Sequence, residues 1–149
     1  MTELKSLQNH FLVAMPSLDD PYFSRSLTYI CEHNKDGAMG LVINQPSTMN
    51  LKELLEQTDK DLTVAEDKAE QIILAGGPVS QERGFVLHSS QSGWDSSLAL
   101  SPDVMITTSK DILSAIGTNT GPDSSIIALG YAGWTAGQLE QEMQDNSWL

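Results

Sequence analysis

Gly76-Gly77-Pro78-Val79 joins two apolar runs of this chain, and the second run is Arg83-Gly84-Phe85-Val86-Leu87-His88. Glycine adopts backbone angles that other residues avoid, and proline fixes its own φ, so these residues define the shape of a connection. None of the glycines or the proline carries a reactive side chain. We interpret the stretch first as a tight connection between strands, and second as a set of backbone N–H groups that face an anion.

Short runs rich in β-branched and aromatic residues predict strands along the whole chain. The predicted strands are 11–15, 27–31, 39–43, 71–75, 83–88, 104–107 and 125–131. The second and third are separated by Asn34-Lys35-Asp36-Gly37, whose Asp-Gly pair favours a hairpin turn. We therefore expect an antiparallel hairpin over 27–44, which ends before Pro46 because proline cannot donate to a ladder.

Three helices are predicted from capping signals. The signals are Asn50 with Glu53, Ser109, and Thr135 with Gln138. The polar interval 57–71 predicts an exposed loop or a short helix. Strands outnumber helices and alternate with them irregularly, which favours a mixed α/β or α+β domain with a largely antiparallel sheet and about three flanking helices.

Charge and composition exclude several classes of protein. The 149 residues fit one domain, and 20 acidic against 8 basic residues give a net charge of -12. Without a basic cluster, the chain would repel nucleic-acid phosphates, so we expect no direct nucleic-acid binding. No apolar run reaches the roughly 18 residues that span a bilayer, and residues 1–9 lack a secretory signal. We expect a cytoplasmic protein without a membrane contact.

Arg83 and His88 are the first candidate binding residues. Arg83 is the cation nearest to the glycine pair and is suited to hold a carboxylate or phosphate, although pairing with a surface acid is the simpler role. His88 precedes Ser89 and Ser90, but adjacent strand residues point to opposite faces, so His88 and Ser89 do not form a nucleophile and base pair by themselves.

Cys31 and His33 are two residues apart, so a regular strand would place them on the same face. Such a pair suits a metal or an activated thiolate. The spacing of the other histidines brings no third ligand to them, which favours a buried structural cysteine and an edge histidine. We predict no metal site and no cofactor.

Tyr131 and Trp134 are the second group of candidate binding residues. Gly130 and Gly133 allow close approach beside them, which suits an aromatic wall of a ligand groove. The alternative is a strand-to-helix corner, in which Trp134 packs against Leu139 as a hydrophobic staple. The sequence leaves both readings open.

Four motifs occur in the order of a known family. They are Gly40-Leu41-Val42-Ile43-Asn44 with Pro46, Gly76-Gly77-Pro78-Val79, Arg83-Gly84-Phe85-Val86-Leu87-His88, and Gly130-Tyr131-Ala132-Gly133-Trp134 with Gly137-Gln138-Leu139-Glu140. The series resembles the YqgE/AlgH family of bacterial proteins. The resemblance implies a single α/β domain with a twisted, partly barrel-like sheet, a cytoplasmic location and no established biochemical activity.

The resemblance has two further implications. Members of the family are often labelled as transcriptional regulators. They usually continue beyond the position of Trp148 through a proline-bearing segment and a helix, so we expect residues 1–149 to form a YqgE/AlgH-like domain without that C-terminal segment.

Our leading hypothesis is a non-enzymatic binding or regulatory protein that contacts an unknown protein or small molecule, because the special positions build surfaces rather than reaction centres. We predict no catalytic residue. The predicted ligand-binding residues are Gly76, Gly77, Pro78, Arg83, His88, Tyr131, Gly133 and Trp134. The alternatives are a hydrolase or transferase that uses His88 or Cys31, and a transcriptional regulator that acts indirectly.

Overall fold

A curled, largely antiparallel sheet organises the chain. The computed structural model describes residues 6–15, 25–58, 64–145 and 147–148. The main path of the sheet runs through β1 (Phe11–Val13), β2 (Leu27–Asn34), β3 (Gly37–Val42), β9 (Ser125–Thr135), β6 (Val79–Ser89), β8 (Val104–Thr107) and β7 (Ser97–Ala99). Two further strands, β4 (Pro46–Asn50) and β5 (Ile72–Ala75), pair with each other, and β5 runs parallel to β9. The predicted single domain with a partly barrel-like sheet is confirmed as a half-barrel.

The hairpin of β2 and β3 is confirmed, whereas other strands differ from the prediction. Its two strands pair antiparallel from Asn34 opposite Gly37. As predicted, β3 ends before Pro46, at Val42. A strand that was not predicted, β4, begins at Pro46, because the first position of a strand tolerates the missing N–H. Strand β7 was not predicted, since its three residues are all exposed and carry no apolar alternation.

Within the described residues, four helices flank the sheet: α1 (Leu51–Thr58), α2 (Glu66–Ala69), α3 (Asp111–Gly117) and α4 (Gln138–Gln144). The Asn50 cap is confirmed, because Asn50 Oδ1 accepts a 2.9 Å hydrogen bond from the Glu53 N–H. The one-turn α2 lies in the polar interval 57–71, of which residues 59–63 lie outside the described part of the chain.

Two predicted helix starts lie too early. Helix α3 begins two residues after Ser109, whose hydroxyl donates to Asp111 Oδ1 at 2.5 Å. Strand β9 continues through Thr135 instead of ending at residue 131, so α4 begins only at Gln138. The predicted pairing of Thr135 and Gln138 still forms, since Gln138 Oε1 accepts from the Thr135 N–H at 3.0 Å.

A β-bulge in β2 overturns the predicted common face of Cys31 and His33. The register shifts between Ile30 and Glu32, which adds one residue and reverses the alternation beyond it. Cys31 packs with Tyr29 inside the curl of the sheet. His33 lies instead on the opposite side, where its Nε2 is 2.8 Å from Glu140 Oε1.

Three clusters of buried side chains form the core. The first packs α1 and α3 against one face of β6 and β9 and includes Leu51, Ile73, Ile112 and Ile127. The second fills the inside of the curl with Leu41, Phe85, Leu87 and Ile106. The third lies under α4 and includes Leu12, Ile30, Trp134, Leu139 and Trp148. The second cluster supports the surface described next.

Candidate functional site

The Gly76-Gly77 connection packs directly against the backbone of β9. A Cβ on Gly76 would lie 2.4 Å from the Gly130 oxygen, and a Cβ on Gly77 would lie 2.2 Å from the Tyr131 carbonyl carbon. Gly77 also has a φ of +154°, in the range that favours glycine. The glycines are required because two backbones meet here without room for a side chain.

The backbone groups of Gly76 are already paired. Its N–H donates to the Leu129 carbonyl at 2.8 Å, and its carbonyl accepts from the Val42 N–H at 2.9 Å. An anion that bound the Gly76 N–H would have to displace a hydrogen bond of the sheet. The structure therefore favours the tight connection over the anion-facing interpretation of the glycines.

A groove of about 760 Å³ crosses β2, β3, β9 and β6 beside this connection. We call it the β9 groove. The residues that give it its chemistry are Glu32, Asp36, Arg83, Phe85, Tyr131 and Gly133. The β2 bulge brings Glu32 here, since it places Glu32 opposite Met39, another groove residue.

Two aromatic rings and one cation form a wall of the β9 groove. The rings of Phe85 and Tyr131 meet edge to face, with centroids 5.4 Å apart and planes at 66°. The Arg83 guanidinium carbon lies 5.5 Å from the Phe85 centroid, a cation–π distance. Phe85 is almost fully buried, so it supports the arginine from below. A planar or anionic group of a ligand would meet this wall.

Gly133 leaves the floor of the groove open. It is exposed and has no positive φ, and a Cβ there would touch only Tyr131 Cε2 at 3.4 Å, an ordinary van der Waals distance. A side chain is therefore tolerated sterically at this position. Its absence is what gives the groove its depth next to Tyr131.

The groove carries charges of both signs. Glu32 and Asp36 lie on the β2–β3 hairpin, and Arg83 lies on β6. Among the described residues the only basic and acidic side chains within 4.0 Å of each other are His33 and Glu140, so the Arg83 guanidinium has no carboxylate partner there. The groove therefore offers one cationic and two anionic groups to a ligand.

The sequence-predicted site residues are only partly brought together. Arg83, Tyr131, Gly133 and Trp134 border the β9 groove. Gly77 lines a different depression of about 460 Å³, and His88 lines an apolar cavity of about 360 Å³. Gly76 is buried, and Pro78 completes the connection into β6.

Trp134 takes the staple role instead of forming the aromatic wall. It is 6% exposed and packs with Leu139 in the cluster under α4. Its Nε1–H donates to Glu142 Oε1 at 3.0 Å. The second ring of the wall is Phe85, which sequence reasoning missed. Its apolar strand pattern identified a core residue, but only the pairing of β6 with β9 brings it next to Tyr131.

Cys31 is not suited to nucleophilic chemistry. Burial, followed by the charge of Glu32, raises the pKa of its thiol to about 12. A thiol with this pKa is protonated at neutral pH and is therefore unreactive. No cluster of three or more histidine, cysteine, aspartate or glutamate side chains suited to a metal occurs within 6–15, 25–58, 64–145 and 147–148.

His88 forms hydrogen bonds with both ring nitrogens. Nδ1 lies 2.8 Å from the Ser89 carbonyl oxygen, and Nε2 lies 2.7 Å from Thr107 Oγ1 on β8. The Ser89 hydroxyl is not its partner, as the strand alternation predicted. The hydroxyl that meets His88 comes from a neighbouring strand, and the sequence alone gave no signal for it.

Comparison with known proteins agrees with the motif order. A family model described as AlgH-like matches residues 11–149. The chain belongs to the AlgH-like family. Similar relatives are a UPF0301 protein of Colwellia psychrerythraea, 54% identical over 98% of this chain and 81% of the relative, and one of Pseudoalteromonas translucida, 57% identical over 98% of this chain and 79% of the relative.

Two solved structures resemble the AlgH-like fold of this chain. The solution structure of AlgH from Pseudomonas aeruginosa gives a TM-score of 0.84 at 50% identity and covers 100% of this chain and 78% of that one. A crystal structure from Corynebacterium diphtheriae gives a TM-score of 0.72 at 22% identity, which shows the fold alone. No helix in the described part of the chain is long and apolar enough to cross a membrane.

Proposed function

We propose that this AlgH-like protein is a non-enzymatic binding module whose β9 groove takes a small ligand or a segment of a partner protein. The observation that carries the proposal is the open floor at Gly133 beside the wall of Arg83, Phe85 and Tyr131. Ligand pockets characteristically combine aromatic surface with a few polar groups that fix orientation.

The lining of the groove favours binding over catalysis. Its described residues include no cysteine, histidine or serine, and its charged groups are Arg83 on β6 and Glu32 and Asp36 on the β2–β3 hairpin. A general base or nucleophile needs a partner within hydrogen-bond reach, and the groove provides none of the usual pairs. The groove therefore recognises a ligand without an evident means to transform it.

The charges indicate the kind of ligand. A carboxylate or phosphate would pair with Arg83, a planar group would stack beside Tyr131, and an amine would face Glu32 and Asp36. Metabolites and peptide segments that carry both an acidic and a basic group fit this pattern. Any regulatory effect would pass through such a partner, because a chain of charge -12 repels nucleic-acid phosphates.

A thermal-shift screen tests the proposal. The library contains zwitterionic metabolites, nucleotides and short mixed-charge peptides. A ligand at about a hundred times its Kd adds roughly 2.7 kcal/mol to the free energy of unfolding. We expect Gly133→Leu to remove this stabilisation, because the new side chain fills the floor of the groove.

Gly84→Leu is the matched control. A Cβ at Gly84 meets no atom within 4 Å, and Gly84 is not among the groove residues. The control should retain the ligand-induced shift of the unsubstituted protein. Ligands that stabilise Gly133→Leu as much as Gly84→Leu, or a screen in which no compound stabilises the unsubstituted protein, would contradict the proposal.

A further inference from the structure

A chain of hydrogen bonds leads from the buried interior of β6 to the edge strand β7. His88 Nε2 lies 2.7 Å from Thr107 Oγ1, and Thr107 Oγ1 lies 2.6 Å from Ser97 Oγ. On the other side of the ring, His88 Nδ1 lies 2.8 Å from the Ser89 carbonyl oxygen. None of these four residues lines the β9 groove, so this feature is independent of the proposed function.

For a neutral His88 ring, the partner groups fix the direction of each hydrogen bond. A carbonyl oxygen only accepts, so Nδ1 of neutral His88 carries the proton and Nε2 is bare. The bare Nε2 accepts the proton of the Thr107 hydroxyl. Thr107 has then used its only proton and must accept from Ser97. The Ser97 hydroxyl therefore donates inward, which leaves its remaining lone pair available to solvent.

The two ends of this series of hydrogen bonds differ in burial. His88 is 4% exposed and Thr107 is completely buried, whereas Ser97 lies on a fully exposed edge strand. A hydroxyl that donates toward a base, with the second nitrogen of that base held by an acceptor, is the arrangement that activates a serine nucleophile. Here the Thr107 hydroxyl stands between the serine and the histidine and is hydrogen-bonded to both.

We propose that Ser97 is a site of covalent acylation that takes one acyl group per chain, without turnover, from neutral esters or thioesters whose leaving group is weakly basic. Two aspartates lie near the start of β7: Asp95 precedes Ser97 by two residues, and Asp111 Oδ2 accepts from the Asp95 N–H at 2.9 Å. Carboxylates at this site repel anionic acyl and phosphoryl donors. Uncharged acyl donors remain the chemical class that fits.

The residues already described account for every bond and proton in the acyl transfer. The Ser97 oxygen forms a bond to the acyl carbon while its proton moves to Thr107, and the Thr107 proton moves to His88 Nε2. The bond between the acyl carbon and the leaving group then breaks, and its electron pair departs with the leaving group as an aryloxide or thiolate. The imidazolium at His88 then returns one proton, through the Thr107 hydroxyl, to the departing aryloxide or thiolate.

Acetylation with p-nitrophenyl acetate tests this inference on the full chain. Release of p-nitrophenolate gives the rate, and peptide mass mapping gives the acetylated residue. We expect one acetyl group on Ser97 and little on Ser96, an exposed neighbour that serves as the internal control. Ser97→Ala should remove this adduct without creating another.

Thr107 provides a matched pair of variants. Thr107→Ser keeps the hydroxyl and should retain the acetylation rate within a few-fold. Thr107→Val keeps the shape but breaks the relay, and should lower the rate about 100-fold, the size expected for loss of a general base. A merely structural role of Thr107 would affect stability in both variants without separating their acetylation rates.

Two results would overturn the inference. One is acetylation of Ser96 or of lysines as readily as Ser97 in the unsubstituted protein, which needs no variant and therefore decides even if Thr107→Val does not fold. The other is equal acetylation of folded Thr107→Val and Thr107→Ser. Gly133→Leu should acetylate normally, which separates this test from that of the β9 groove.

Discussion

The absence of a side chain has opposite consequences at Gly77, in the connection before β6, and at Gly133, on β9. At Gly77 an added Cβ would lie 2.2 Å from the Tyr131 backbone, whereas at Gly133 it would lie 3.4 Å from a side-chain atom of the same tyrosine. The first glycine closes the space between two backbones. The second leaves a space open to a ligand. The difference shows that the glycines of the family motifs include both fold-determining positions and candidate binding positions, and that the contacts with neighbouring strands distinguish them.

The largest effect is expected from Gly77→Ala. Its Cβ would collide with backbone that cannot move aside, and its φ of +154° disfavours any other residue. We expect a loss of about 3 kcal/mol or more in the free energy of unfolding, measured by urea denaturation. A loss below about 1 kcal/mol would show that this junction is not closed.

The stability of the protein at alkaline pH tests whether Cys31 is buried in the interior next to the groove. The pKa of its thiol is raised from 9.0 in the unfolded chain to about 12 by burial, followed by the charge of Glu32. Its contribution to stability is therefore complete below about pH 9 and disappears as the pH rises toward about 12. Urea denaturation of the unsubstituted protein should show this loss.

Cys31→Val is the control for the alkaline experiment, because it removes the thiol and keeps a buried apolar side chain. Burial and the charge of Cys31 also raise the pKa of Tyr29, which acts in the same direction. The difference between the two proteins therefore reports the thiol together with the effect of its charge on Tyr29. An identical pH dependence would show that Cys31 is accessible to water.

Gly133→Leu should have a small effect on stability, in contrast to Gly77→Ala. Its side chain enters the open groove and strains no backbone angle, so we expect a change within about 0.5 kcal/mol in urea denaturation. A loss as large as that of Gly77→Ala would mean that both glycines serve the fold and would remove the distinction between them.

Arg83→Met tests whether Arg83, in the β9 groove, belongs to the binding surface or to the fold. The variant keeps an unbranched stem over Phe85 and removes the guanidinium, so only the cation–π contact is lost. An exposed contact of this kind contributes about 0.5 to 1 kcal/mol, which thermal unfolding should resolve. A loss above about 2 kcal/mol would place Arg83 in the structural framework instead of the binding surface.

Much of the fold was predictable because local signals and pairing agree. The Asp36-Gly37 turn gave the hairpin, and the Asn50 cap gave the start of α1. The prediction was wrong where a local irregularity changes the alternation. The bulge next to Cys31 reverses the face of His33, and no residue type there announces it. Capping signals also placed α4 too early, because pairing with β3 extends β9 through Thr135.

The candidate site was less predictable than the fold, because it depends on which strands become neighbours. Tyr131 and Gly133 were predicted as groove residues and border the β9 groove. Trp134 borders the groove, but its side chain packs in the cluster under α4, and Phe85 replaces it in the wall because β6 pairs with β9. The partners of His88 come from β8 and β7, whose side-by-side placement has no sequence signature.

The most direct test of the β9 groove is an amide chemical-shift titration of the isotope-labelled protein with a ligand from the thermal-shift screen. We expect the largest shifts at Tyr131 and Gly133 on β9 and at Arg83 and Phe85 on β6. We expect saturable binding in Gly84→Leu and none in Gly133→Leu. Shifts centred elsewhere, or equal affinity in the two variants, would contradict the assignment of the groove as the binding site.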